Sequence, residues 1–307
     1  MVDVAAALRS VDLAEARARC RALARRHGEN FTTISRLAPR EMRTHLSVVY
    51  AFCRAVDDLG DEGRLPEELA ACPCAAAPPG ERRIERLDAF ESELVRAWAG
   101  RAESPLFVAL TETAAAYRLP LEPFRRLIEA NRMDQRVRRY ATYDELIHYC
   151  EHSATPVGRI VLGLYGISDS ESARLSDATC TALQLTNFWQ DVKRDFAMGR
   201  VYLPEQDMAR FGVSEGDLAM EIGGSPFCCL MEFEVARARA LFDEGVALLG
   251  RVSGHLRVDL ALFSRGGLAI LDKIERQGFD TLLARPTLSR LDKARIFLSA
   301  LLSGSTL

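Results

Sequence analysis

Apolar residues recur at steps of three and four along almost the whole chain, and this spacing constrains the fold more than any other feature. Ala, Leu, Arg and Glu dominate, and we find no convincing alternating run of the kind that half-buried strands show. The segment 204–217 is rich in turn-forming residues and predicts a loop. The periodic segments that predict helices are 12–27, 39–61, 81–99, 104–118, 121–132, 143–151, 153–165, 171–196, 226–250, 254–277 and 287–303. We therefore expect an all-α fold, a single-domain helical bundle spanning residues 1–307.

Composition narrows the class of protein. The 307 residues are 48% hydrophobic with a formal net charge of −3, which is typical of a globular chain and gives no basic stripe for nucleic acid. The N-terminus lacks the layout of a signal peptide, and no apolar run reaches the length of a membrane span. We expect a cytoplasmic protein. The amphipathic C-terminal "ARIFLSALLSG" leaves two alternatives open, a core helix or a peripheral membrane contact.

The stretch "AVDDLGDEG", residues 55–63, crowds four acidic side chains behind an apolar run. A helix at about 100° per residue gathers one polar face within an arc of about 60°. The members of that face are Tyr50, Arg54, Asp57 and Asp61, and the opposite apolar face comprises Val49, Phe52, Val56 and Leu59. Asp58 and Glu62 form a second acidic pair on the flank. A solvated acidic face is the simpler interpretation, but two like-charged i,i+4 pairs destabilise a helix and call for a reason.

A second helix repeats the pattern in "LQLTNFWQDVKRDF", residues 183–196. Its oxygen-bearing side chains fall within an arc of about 80°. These side chains are Gln184, Asn187, Asp191 and Asp195. Lys193 lies close by but points to another side of the helix, and Arg200 and Tyr202 come next. Paired carboxylates suit Mg²⁺, which takes one or two carboxylates and completes its octahedron with water and phosphate oxygens. Nearby cations would share the charge of a diphosphate.

With these motifs the chain resembles the squalene and phytoene synthases, the head-to-head trans-isoprenyl diphosphate synthases. The resemblance rests on two D-x-x-x-D motifs in context, "YAFCRAVDDLGD" and "QLTNFWQDVKRD" followed by "GRVYLP". Supporting matches are "HGENF", "MDQRVRRYATYDEL" and "YCEHSATPVG", and together they span roughly residues 27 to 215. "SATPVG" replaces the usual "V-A-G-x-V-G", and Gln190 stands where many relatives have Arg. Both departures resemble the bacterial hopanoid branch, the hydroxysqualene or squalene synthases.

The resemblance implies roles for individual residues in an isoprenoid-synthase bundle with a central substrate cavity. Asp57 and Asp61 would bind Mg²⁺ at one diphosphate, and the second set would bind it at the other, with two or three ions in all. That second metal set is Asn187, Asp191 and Asp195. The residues implied to hold diphosphate oxygens or line the reaction centre are Tyr50, Arg54, Gln184, Lys193, Arg200 and Tyr202. Those implied to line the prenyl-chain path are Phe31, Ser153, Val157 and Gly158.

The resemblance also implies the chemistry. Presqualene diphosphate, made from two farnesyl diphosphates, would ionise to hydroxysqualene or squalene with release of diphosphate. A hydride quench would need NADPH, and no G-x-G-x-x-G follows a strand pattern in this sequence. A phytoene, dehydrosqualene or presqualene diphosphate synthase remains an alternative, as do a cyclising terpene synthase and a non-catalytic assembly or binding factor. The oligomeric state and the quench of the last cation stay open at this stage.

Overall fold

A computed structural model of the protein describes residues 12–27, 38–66, 69, 83–221 and 223–302. Among these residues no strand occurs, so the all-α prediction is confirmed. The helices of the described part are α1 Leu13–His27, α2 Arg40–Asp61, α3 Arg83–Trp98, α4 Pro105–Tyr117, α5 Glu122–Arg136, α6 Tyr143–Ser153, α7 Thr155–Leu164, α8 Ser170–Ala197, α9 Glu205–Phe211, α10 Glu215–Ala219, α11 Ser225–Gly245, a 3₁₀ turn Val246–Gly250, α12 Gly254–Arg276 and α13 Arg290–Leu302.

The chain divides into two compact units. The N-terminal unit comprises Met1–Gln135 with Gly163–Gly166, and the C-terminal unit comprises Arg136–Leu162 with Ile167–Leu307.

Aromatic side chains form the core of the N-terminal unit. The ring of Phe52 lies 5.6 Å from that of Phe90 and 5.2 Å from that of Phe124, and Phe90 continues the contact to Phe107. All four side chains are fully buried. Because rings of this size bury large apolar areas and prefer tilted or edge-on contacts, this cluster holds α2, α3, α4 and α5 together.

Helix α2 buries the face that its periodicity predicts. Its apolar positions are at most 1% exposed and comprise Val49, Phe52, Val56 and Leu59. The acidic residues Asp57 and Asp61 lie on the exposed side, as the helical step requires. The packing of one face therefore fixes the direction in which the first acidic motif points.

Helix α8 is the longest helix of the C-terminal unit, and it packs against α6, α11 and α12. It begins at a strong N-cap, because the Asp169 carboxylate accepts a hydrogen bond of 2.9 Å from the backbone amide of Ser172. Its core face includes Trp189, which is fully buried, one residue after Phe188 and two before Asp191. The second acidic motif thus sits on a helix that is anchored on its opposite side.

The loop prediction for residues 204–217 is wrong, because this segment contains α9 and α10. Local capping explains both helices. Pro204 precedes α9, and Ser214 opens α10 with a capping box in which its hydroxyl and the Asp217 side chain satisfy each other's backbone amides. Turn-forming residues here mark helix boundaries, so a reading based on their frequency alone misses the two short helices.

Helix α12 contains a buried acid with an unsatisfied carboxylate oxygen. Asp259 is 2% exposed, and among the described residues its Oδ1 finds no hydrogen-bond donor. Burial raises the pKa of this carboxyl to about 7. An isolated buried carboxylate is unfavourable, so the folded protein favours the protonated form.

We expect the stability of the protein to fall as Asp259 ionises. Its pKa in the folded state lies above the usual value of 3.8, so the stability is lost progressively between about pH 4 and pH 7. Asp259→Asn removes the ionisation. Urea unfolding gives the free energies of unfolding of variant and parent at pH 5 and pH 8.5. From the lower to the higher pH, the difference between them should shift in favour of the variant by on the order of 2–4 kcal/mol. An unchanged difference between the two pH values would contradict this origin.

No helix in the described part of the chain is long and apolar enough to cross a membrane.

Candidate active site

The first acidic motif lies at the C-terminal end of α2. Asp57 and Asp61 stand one helical turn apart on the exposed side of the helix, with Tyr50 half-buried upstream. Asn131 of α5 donates a hydrogen bond of 3.4 Å from its amide nitrogen to Oδ1 of Asp57. The motif is therefore a carboxylate pair with a neutral donor beside its first member.

The pKa of Asp57 is raised to about 6. Burial by surrounding protein atoms is the largest cause, although the side chain still reaches solvent, and the charges of Asp61 and Asp58 raise the value further. The hydrogen bond from Asn131 and the charge of Arg54 act in the opposite direction. A bound cation would relieve the cost of this crowded negative charge.

Arg54 and the flanking acids have partners of their own within the same segment. Arg54 forms an i,i+4 ion pair with Asp58. Glu62 lies just past the helix end and accepts a hydrogen bond of 2.8 Å from Nε of Arg64. Asp58 thus orients Arg54, a residue with an expected diphosphate role, whereas Glu62 pairs locally at the surface.

Gly60 allows α5 to approach the first motif closely. A Cβ atom at this position would lie only 2.0 Å from Oδ1 of Asn131. The Gly60 carbonyl accepts a hydrogen bond of 3.0 Å from the side chain of Gln135, one turn after Asn131. The sequence argument did not single out Asn131 or Gln135 as site residues. The local signal that could have pointed to them is their i,i+4 spacing on a helix.

The second acidic motif forms an ion pair with an arginine that the sequence argument also did not single out. Nε and Nη2 of Arg285 donate to the two carboxylate oxygens of Asp191, at 2.5 and 2.9 Å. Next to it, the side chain of Gln190 donates to the carbonyl of Pro286. The segment around 285–286 therefore lies against the motif face of α8.

A pocket in the C-terminal unit joins Asp195 to the segment that follows α8. Its lining combines the polar Asp195 and Arg200 with the ring of Tyr202, and the full lining is Phe188, Val192, Asp195, Arg200, Val201, Tyr202, Leu203 and Leu218. Three of the predicted site residues thus meet here. Asn187 and Gln184 lie about two and three turns before Asp195 on the same helix, with Asn187 exposed.

An aromatic stack supports this pocket. Tyr202 is 8% exposed and lies parallel to Phe188, with ring centroids 3.8 Å apart and planes at 10°. Tyr140 and Tyr149 contact the same ring at 5.8 and 5.9 Å. The stack fixes the segment after α8, whose Val201 amide donates to the carbonyl of Arg138 at 2.9 Å. One face of Tyr202 is therefore covered by Phe188.

The remaining predicted site residues have these positions. Lys193 forms an ion pair of 2.7 Å with Glu221. Ser153 ends α6, and its buried hydroxyl finds no partner among the described residues. Val157 is half-buried on α7, and Gly158 packs on α8, where a Cβ would lie 2.4 Å from the hydroxyl of Ser176. Phe31 lies outside the described residues.

The donor chemistry of both motifs fits a hard divalent cation. In the described part of the chain, no three His, Cys, Asp or Glu side chains gather into a closed metal cluster. Each motif instead presents two carboxylates one turn apart, and the second adds the amide oxygen of Asn187. Such open sets suit Mg²⁺, whose remaining positions would go to water and phosphate oxygens.

Comparison with known proteins assigns the chain to a family. The family model described as "Squalene/phytoene synthase" matches residues 24–292, which include both acidic motifs. The chain belongs to the squalene/phytoene synthase family. This confirms the resemblance, and members of this family carry out head-to-head condensation of prenyl diphosphates.

Individual members of the squalene/phytoene synthase family extend the match. The 15-cis-phytoene synthase of Synechococcus elongatus is 32% identical over 289 residues, covering 89% of this chain and 88% of its own. The crystal structure of squalene synthase HpnC from Alicyclobacillus acidocaldarius is 47% identical, with a TM-score of 0.80, and covers 87% of this chain and 96% of that one. A dehydrosqualene synthase in complex with ligand shares the fold, with a TM-score of 0.81 at 23% identity over 94% of this chain and 96% of its own. The fold is thus the isoprenoid synthase fold.

Proposed function

We propose that this protein is a Mg²⁺-dependent squalene-type synthase that ionises presqualene diphosphate. The C–O bond to diphosphate breaks and diphosphate leaves. The carbocation rearranges, and water adds to it and releases a proton to give hydroxysqualene. Alternatively, NADPH supplies hydride to give squalene. The observation that carries the proposal is the pair of intact acidic motifs on α2 and α8, in a chain 47% identical to a squalene synthase.

The chain's own residues would act in three ways. Asp57 and Asp61 would hold Mg²⁺ at one motif, and Asn187, Asp191 and Asp195 at the other. The metal would neutralise the departing diphosphate and so lower the barrier to ionisation. Polar side chains would bind and orient the diphosphate oxygens, namely Tyr50, Arg54, Gln184, Lys193 and Arg200. Phe31, Ser153, Val157, Gly158 and Tyr202 would line the path of the carbocation and its prenyl chains, excluding water from it.

The sequence identities to the two kinds of relative favour a squalene-type substrate over a phytoene-type one. The chain is 47% identical to the squalene synthase and 32% identical to the 15-cis-phytoene synthase. The latter relative keeps a second candidate open, condensation of two prenyl diphosphates to phytoene, dehydrosqualene or presqualene diphosphate. A non-catalytic role as an assembly factor is disfavoured, because such a protein has no need of two acidic pairs.

Product analysis distinguishes these candidates. The purified protein is incubated with Mg²⁺ and either presqualene, farnesyl or geranylgeranyl diphosphate, each with and without NADPH, and the extracted products are identified by mass spectrometry. Our proposal predicts hydroxysqualene, or squalene with NADPH, from presqualene diphosphate. Phytoene from geranylgeranyl diphosphate, or turnover of farnesyl diphosphate alone to squalene, would overturn this choice of substrate.

The Arg285–Asp191 ion pair yields a prediction about metal affinity. Mg²⁺ has to displace the guanidinium from Asp191, so Arg285→Gln should tighten binding of Mn²⁺ to the substrate-free protein by about two- to fivefold, as expected for a partly exposed pair. The affinity is measured by electron paramagnetic resonance of free Mn²⁺. Arg159→Gln is the matched control, because Arg159 pairs with Asp177 of the same helix at 2.6 Å. Equal or weaker binding in Arg285→Gln would contradict competition at Asp191.

We further propose that residues 1–307 work as one catalytic domain, since the family model spans both compact units. We also propose a cytoplasmic protein that contacts the membrane peripherally, because the product is very apolar and would partition into lipid.

A further inference from the structure

We propose that Asn131 is a positioning residue for the first metal site, holding one oxygen of Asp57 so that the other is free for the cation. The inference rests on the proposed role of Asp57 as a Mg²⁺ ligand. It concerns a residue that lies on a different helix from the motif, 74 positions further along the chain.

The hydrogen-bond network fixes the orientation of the Asn131 amide. Its nitrogen lies 3.3 Å from the carbonyl of Leu127 and 3.4 Å from Oδ1 of Asp57. Both neighbours are acceptors, so the nitrogen has to face them and the amide oxygen faces Gly60. A neutral donor in this place directs the carboxylate without adding a charge that would compete with the metal.

A second amide side chain, that of Gln135, fixes the position of α5 relative to the first acidic motif. Gln135 donates from its side chain to the carbonyl of Gly60 at 3.0 Å and to the carbonyl of Asn131 at 3.3 Å. Gly60 is in the last turn of α2, where carbonyls lack partners within the helix, so this hydrogen bond satisfies one of them. Asn131 and Gln135 therefore bind the same turn of α2 from which Asp57 and Asp61 project.

Gly60 couples sterically to Asn131. A Cβ at position 60 would lie 2.0 Å from Oδ1, 2.9 Å from Cγ and 3.3 Å from Cβ of Asn131. Any larger residue would thus push the Asn131 amide off Asp57. The absence of a side chain at position 60, between the two aspartates, is what this close approach of Asn131 requires.

The test is a double-variant cycle with two readouts. Asn131→Ala should raise the Mg²⁺ concentration for half-maximal turnover about tenfold while leaving turnover at saturating Mg²⁺ within about threefold, and it should weaken Mn²⁺ binding to the substrate-free protein in parallel. Gly60→Ala should do the same in the parent. In the Asn131→Ala background, where the clash with the amide is gone, Gly60→Ala should add nothing to either readout.

Controls separate the possible failures. Arg126→Ala removes an α5 side chain whose partner, among the described residues, is Glu122 of the same helix. This variant should leave both readouts unchanged. Unchanged metal affinity in Asn131→Ala, or fully additive effects of the two substitutions, would overturn the inference. Asp57→Asn reports on the proposed function separately: if it keeps parental metal affinity, Asp57 is not a ligand, whatever Asn131 does.

Discussion

Replacing Asp57 or Asp191 by alanine is expected to lower turnover of the prenyl diphosphate at least about 1,000-fold while the protein still folds. Each substitution removes a carboxylate from a pair that would hold Mg²⁺, and electrostatic stabilisation of a departing group is commonly the largest contribution to catalysis. Asp57 is exposed and Asp191 is half-buried, and neither belongs to the apolar core, so the fold has little need of them. Steady-state turnover and circular dichroism measure the two effects.

Neighbouring acids provide the controls for this prediction. Glu62→Gln leaves the first pair intact, because Glu62 interacts with Arg64 at the surface, and Asp177→Asn changes an acid of α8 that pairs with Arg159. Both variants should retain turnover within about twofold. If Asp57→Ala or Asp191→Ala also kept near-normal turnover, the role of these residues as metal ligands would be refuted.

Truncating Phe52 to alanine is expected to lower the free energy of unfolding by about 3–5 kcal/mol. Phe52 is fully buried and contacts Phe90 and Phe124, so its loss leaves a cavity where three helices meet. The expected loss is a large fraction of the total stability of a typical domain. Urea unfolding followed by circular dichroism measures the change.

An exposed apolar residue serves as the comparison. Val95 on α3 is 44% exposed, and Val95→Ala should change the unfolding free energy by no more than about 0.5 kcal/mol. A loss below about 1 kcal/mol in Phe52→Ala would show that this ring is not central to the core of the N-terminal unit.

The sequence was sufficient to predict which residues share a face of α2 and of α8. Helical periodicity placed Phe52 on the buried face of α2 and Asp57 on the exposed one, because 3.6 residues per turn separate the two sides of any helix. The same argument correctly aligned Asn187, Asp191 and Asp195 along one side of α8. The acidic motifs were thus recognisable before their surroundings were known.

Partners that are distant in sequence could not be predicted in this way. Arg285 reaches Asp191 across 94 positions, and Asn131 reaches Asp57 across 74. Within α2, Arg54 has Asp57 at i+3 and Asp58 at i+4, both within reach on a helix, and the structure pairs it with Asp58. Side-chain rotamers and helix packing decide these contacts, and neither is encoded in the spacing of residue types.

The central claim is that each of the two acidic motifs binds a divalent metal when a prenyl diphosphate is present. A crystal structure of the protein with Mn²⁺ and a non-hydrolysable prenyl thiodiphosphate, with anomalous scattering recorded at the manganese edge, tests it most directly. The claim predicts manganese peaks beside Asp57 and Asp61 and beside Asn187, Asp191 and Asp195, with Arg285 displaced from Asp191. Manganese bound elsewhere, or a thiodiphosphate held with both motifs free of metal, would contradict it.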